Sequence, residues 1–192
     1  SSEVALSPRL TARSLDQLGL PLRRFLDGVV GVDGVITGRG FDFRTVAMTL
    51  DLGQAAVALP ADLWEKAPGE PGSAGFQAEF PEEGGVRLRA LSVDSQALTL
   101  RADAAIAADG RLSAASVQTL QIPGRMDLAF TADRPDGPDG VLRLQLTGDY
   151  LDAGELISVG APGGGLAVTA PVALEAAIAR VLVRDVGFTG VG

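Results

Sequence analysis

From Val29 onward, apolar and polar residues alternate in short runs separated by Gly, Asp and Pro turns every 10 to 15 positions. Val46, Met48, Leu50 and Leu52 share one parity. Val86, Leu88 and Ala90 alternate with Arg87 and Arg89, and Leu98 and Leu100 with Thr99 and Arg101. Met126, Leu128 and Phe130 interleave with Arg125, Asp127 and Thr131, and Leu142, Leu144 and Leu146 with Arg143, Gln145 and Thr147. Period two with one apolar and one polar side predicts strands of an antiparallel meander that is wet on one face. Ala108-Asp109-Gly110, the run from Pro81 to Gly85 and the run from Pro135 to Gly140 supply hairpin turns between them.

The N-terminal region follows another period. Leu15, Leu18, Leu22, Phe25 and Leu26 recur at helical spacing, Ser14 and Gln17 are placed as a capping box, and Gly28 stands as a stop. A helix from Ser14 to Asp27 is expected, either kinked at Pro21 or shortened to begin there. Three further segments read less simply. Ala61 to Gly75 is a Pro/Gly loop too long for a tight turn, and Leu151 to Gly160 fits one helical turn after the last long strand. Val172 to Asp185 scores as helix on propensity but also alternates as a strand through Leu174, Ala176 and Ile178. Gly163-Gly164-Gly165 before it reads as a hinge or a break between units. The expected division is 1–28, an N-terminal segment with an amphipathic helix; 29–160, the meander; and 161–192, a Gly-rich hinge with terminal strand and the start of a next repeat. The fold class is therefore mainly β, a curved antiparallel meander forming a half-open groove or flattened barrel, with a short N-terminal helix.

Composition narrows the chemistry. At 192 residues the chain can bury roughly 70% of its unfolded surface without disulfides or metals. It holds no Cys, no His and no Asn, which removes thiol chemistry, Cys/His zinc sites, Ser-His-Asp triads and imidazole acid/base work. The net charge of −8, with Lys66 the single lysine, opposes nucleic acid as a partner. No run approaches the roughly 18 apolar residues of a membrane helix, and the N-terminus lacks a signal-peptide pattern. The chain begins Ser1-Ser2 without Met and is expected to be a piece of a longer protein.

Each remaining cluster has a plainer explanation than catalysis. Asp133, Asp136 and Asp139 are spaced as loop ligands for calcium, yet no bidentate Glu follows and the intervening Pro residues suit a solvated hairpin. Glu82, Glu83 and Asp94 offer carboxylates for glycoside hydrolysis, but aromatic platforms are scarce, with Trp64 and Tyr150 the sole Trp and Tyr. Gly160 to Gly165 lacks the Lys-Ser/Thr pair of a phosphate loop. No cofactor or metal is called for, and no enzyme activity is expected; an enzyme working through carboxylates alone is the remote alternative. The apolar stripe is different, because one short helix cannot cover it. Such a face folds on itself, meets another copy or holds an apolar ligand.

The run from Asp51 to Leu156 resembles the AsmA-like, YhdP-type periplasmic proteins of Gram-negative bacteria. The resemblance is carried by DLGQAAVALP, LWEKAPGEPGSAGF, the long stretch from Ala97 to Phe130, and VLRLQLTGDYLDAGELI, in that order. Its most specific part is Trp64, Lys66, Gly69 and Pro71. The resemblance implies a bridge-like lipid carrier built of repeated curved sheets: a periplasmic segment of a parent anchored in the inner membrane, with phospholipid acyl chains and neighbouring repeats as partners. On that basis Val46, Met48, Leu50, Leu88, Leu98, Leu100, Met126, Leu128, Phe130, Leu142, Leu144 and Leu146 are expected to face lipid. The alternative is a structural or adaptor β-domain whose apolar face is a closed core and whose edges dock neighbouring repeats.

Overall fold

The computed structural model describes residues 2–11, 13–14, 25–39, 42–59, 64–134, 137, 140–153 and 171–183. In chain order the strands are β1 (Ser2–Leu6), β2 (Arg9–Thr11), β3 (Leu26–Arg39), β4 (Asp42–Asp51), β5 (Ala55–Ala58), β6 (Glu65–Lys66) and β7 (Gly72–Glu79). They continue with β8 (Val86–Ser95), β9 (Thr99–Ile106), β10 (Leu112–Ile122), β11 (Met126–Asp133), β12 (Leu142–Asp152), β13 (Val172–Ile178) and β14 (Val181–Leu182). The protein is mainly β. Its single sheet runs β13-β12-β11-β10-β9-β8-β7-β4-β3-β5-β6, with β1 and β2 on β3 and β14 on β12.

Several expectations change. The sheet is open, so the flattened barrel is not formed. It is mixed: β13 and β14 both pair with β12 in parallel, because the chain returns over a long connection instead of a hairpin. Among the described residues the short N-terminal helix is not seen. Positions 15–24 of it lie outside the described residues, and its last two, Leu26 and Asp27, open β3, where they pair with Val57 and Ala56. Strand pairing overrides helical spacing there, and Gly28 acts as a kink within β3 rather than a helix stop. Its φ is +98°, and a Cβ would stand 2.8 Å from the Gln54 carbonyl oxygen, so only glycine lets β3 and the β4–β5 turn approach this closely. The long loop expected at 61–75 contains β6 and the start of β7. Of the helical turn expected over Leu151 to Gly160, Leu151 and Asp152 are instead the end of β12; positions 154–160, like the glycine hinge, Asp136 and Asp139, lie outside the described residues. Of the tail, Val172–Ile178 is strand.

Ala90 is also corrected. The period slips at Arg89 and Ala90, where β8 bulges between Leu88 and Leu91, and Ala90 takes φ 50°. Leu91 and Val93 then carry the apolar parity onward. The β7–β8 ladder shifts at this same bulge, and further bulges lie on β4 at Arg44, on β10 after Leu112 and after Val117, and on β12 at Asp149 beside Leu128. Bulges on four strands of one sheet bend it and raise its twist. Asp103 secures two of them: Oδ1 accepts the Ala90 amide N–H at 2.9 Å, and Oδ2 accepts the Gln118 side-chain amide at 2.8 Å.

Among the described residues two buried clusters hold the fold. Leu26, Val30, Val32, Leu50, Leu52 and Ala55 form the first around β3 and β4. Trp64, Leu98, Ile122, Met126, Leu128 and Leu151 form the second, against β9 to β12. Val57 packs on both clusters and Leu59 on the second. Because β5 and β6 extend from β3 yet reach residues of β9 to β12, they must fold over the apolar face of the sheet as a flap.

Candidate functional site

The strand register sorts side chains by face. Val46, Ala78, Leu88, Ala104, Ala115, Ala132, Leu144 and Leu174 are successive Cα partners across eight strands, β4 to β13. A parallel row runs Leu50, Ala74, Val93, Leu100, Leu120 and Leu128. Leu91, Ala102, Val117, Phe130 and Leu146 form a row between them. The other side is polar: one of its rows is Asp51, Ser73, Asp94, Thr99, Gln121, Asp127 and Tyr150. Partners in a ladder point the same way, so each row belongs to one face.

Burial divides the apolar face in two. Toward the flap, Leu50, Leu98, Met126 and Leu128 are buried. Away from it, Val46, Leu88, Phe130, Leu142, Leu144 and Leu146 are half-exposed, and at the β13 edge Leu174 is 64% exposed. Between flap and sheet lies a cavity of about 330 Å³. Its floor is Met48 and Leu50 of β4, Ala74 and Phe76 of β7, Leu88, Leu91 and Val93 of β8, Leu98 and Leu100 at β9, and Leu120 of β10. Phe25, Leu26 and Leu52, with Val57, Leu59 and Trp64 from the flap side, complete the wall. Every described lining residue is apolar.

Thus Met48, Leu50, Leu88, Leu98 and Leu100 meet at the cavity. Val46, Met126, Leu128, Phe130, Leu142, Leu144 and Leu146 do not line it. Met126 and Leu128 are in one buried cluster with Trp64, and the others spread along the half-exposed part of the same face. Sequence reasoning missed the flap residues together with Phe25, Leu26, Leu52, Ala74, Phe76 and Leu120, and also the pair Leu91 and Val93. The bulge hid that pair, since parity counted from Leu88 assigns both to the wrong side. Trp64 carried a usable signal: an isolated Trp beside an isolated Lys in a loop rich in Pro and Gly.

Lys66 explains how the flap is held. It is 3% exposed, and its Nζ donates to the carbonyl oxygens of Leu52 at 2.7 Å, Ala55 at 2.9 Å and Ala67 at 3.0 Å. Three donors meet three carbonyls, which matches the full capacity of an ammonium group and ties β6 to the β4–β5 turn. Gly72 makes room for it, since a Cβ there would lie 2.8 Å from Lys66 Cε.

The carboxylates do not converge. Glu82 pairs with Arg44 at 2.8 Å, Glu83 with Arg87 at 3.1 Å, and Asp94 with Arg101 at 2.7 Å, all at the surface. Among the described residues no group of acidic side chains is placed to hold a metal ion, and no helix is long and apolar enough to cross a membrane. No protein-family model, curated protein or solved structure matches the chain.

Proposed function

We propose that this chain is a non-enzymatic segment of a bacterial envelope protein that shields phospholipid acyl chains in an apolar groove, for lipid transport between membranes or outer-membrane assembly. The observation that carries the reading is the cavity with its wholly apolar described lining, continuous with a half-exposed apolar face on a sheet whose other face is polar. Hydrocarbon laid there leaves water at about 0.8 kcal/mol per methylene, while headgroups stay solvated. The few polar groups that would fix a ligand's orientation in an ordinary binding pocket are missing from the lining, which suits chains held without chemistry. The groove description of the bent, open sheet belongs to this proposal. So do the periplasmic location and the inner-membrane-anchored parent, which rest on the resemblance of Asp51 to Leu156 to AsmA-like proteins.

The test is native mass spectrometry of the protein after incubation with phospholipid vesicles and repurification. Adducts of phospholipid mass are expected on the wild type and are expected to vanish in Leu88→Asp, which places a charge on the half-exposed part of the lining. A bare protein mass for the wild type would overturn the reading.

A second reading is favoured by one observation. Val172 and Leu174 on β13 are 44% and 64% exposed, which suits a structural or adaptor domain docking a neighbouring repeat at that edge. Sedimentation of the protein alone and with a longer piece of its parent distinguishes the two.

A further inference from the structure

We infer that the flap makes the cavity a length-limited site for one unbranched acyl chain, entered tail-first from the Leu88 and Phe76 side, with Lys66 as the pin that sets the limit. This rests on the acyl-chain reading above and adds its stoichiometry, direction and size limit. The occupant follows from the lining and the volume. A described lining without a charged or polar side chain excludes an ion or headgroup from the interior. Taking a methylene as about the volume of a water, ~30 Å³, the cavity has room for roughly ten carbons, which is one chain and not two.

Direction follows from burial. Leu88 at one end belongs to the ladder row that runs out through Leu144 to Leu174, 64% exposed, and is in neither buried cluster, whereas Leu98 and Trp64 at the other end are 3% and 6% exposed and belong to the packed cluster with Met126, Leu128 and Leu151. A chain can therefore enter past Leu88 but meets a wall at Trp64. That wall is as fixed as β6, and β6 is fixed by Lys66 through three carbonyls on both sides of the flap's base. Lys66 touches no ligand in this account; it positions Trp64.

The experiment uses Trp64, the only tryptophan, as its reporter. The protein is titrated with octanoate, decanoate, laurate, myristate and palmitate below their micellar concentrations while Trp64 fluorescence is followed. Affinity is expected to rise about fourfold per added methylene up to laurate and by a clearly smaller factor beyond it, where added carbons lie on the half-exposed face. Chains brominated near the methyl end should quench Trp64, and chains brominated next to the carboxylate should not. In Lys66→Met, with wild-type circular dichroism, the break in slope should move to longer chains. Affinity climbing evenly through palmitate, or equal quenching from both bromine positions, overturns the inference while leaving the acyl-chain reading standing. The two wild-type readouts decide it even if Lys66→Met fails to fold. Absence of binding by every chain defeats both.

Discussion

The flap-covered part of the apolar face and its uncovered part around Leu144 and Leu174 carry the same alternation and come to different fates. Leu128 and Leu144 both stand in period-two runs, on neighbouring strands and on one face. Leu128 is 7% exposed in one cluster with Trp64, whereas Leu144 is half-exposed and its ladder partner Leu174 is the most exposed large apolar side chain among the described residues. Alternation fixes which face a side chain takes, and only a covering element decides whether that face becomes core. Here the cover is the short β5–β6 flap, and it reaches only part of the way.

The comparison can be broken at the covered end with the largest effect. Trp64→Ala removes the side chain that joins the flap to β9–β12 and should cost about 3–5 kcal/mol, with Leu98→Ala about 2–5 kcal/mol, both read by guanidinium unfolding. Lys66→Met should come next. It leaves three carbonyls at the flap base without their shared donor and should cost about 1–3 kcal/mol by the same measurement. Asp103→Ala frees the bulges of β8 and β10 together and should lose about 1–2 kcal/mol, with faster amide exchange at Ala90 as its local signature. At the uncovered end Leu174→Ser should change stability by no more than about 0.5 kcal/mol, as at an ordinary surface site. A large loss there would mean that the face around Leu174 is covered after all.

This ordering also shows what could be seen in the sequence. The strand-rich class and the shared face of Met48, Leu88, Leu100, Phe130 and Leu146 were legible because side-chain period follows directly from pleat geometry. Leu26 and Asp27 were misassigned to a helix because local spacing of Leu and Phe cannot report that Val57 and Ala56 will arrive as ladder partners. Leu91 and Val93 were hidden by one extra residue at the Ala90 bulge, which reverses parity for the rest of β8. The parallel pairing of β13 was invisible, since alternation is the same whichever way a strand runs. The cavity was legible only as its floor; its far wall depends on where a flap from β3 lands, and no periodicity encodes that.

The ion pairs fit the same division. Arg44–Glu82, Arg87–Glu83, Arg89–Glu79 and Arg101–Asp94 involve the polar face and its adjoining turns, with side chains substantially exposed, and each contributes roughly 0–1 kcal/mol. They keep that face soluble rather than holding the fold. The free energy that makes this open sheet stand comes from the two clusters beside the flap.

The central claim is that the apolar face beside the flap holds hydrocarbon, and photolabelling tests it most directly. A phospholipid with a diazirine in its acyl chain is bound, irradiated, and its attachment points mapped by peptide mass spectrometry. Attachment is predicted at Met48, Phe76, Leu88 and Leu91, which line the cavity, with none at Thr99, Gln121 or Asp127 on the polar face. Attachment scattered over both faces, or no attachment at the cavity, would contradict the account.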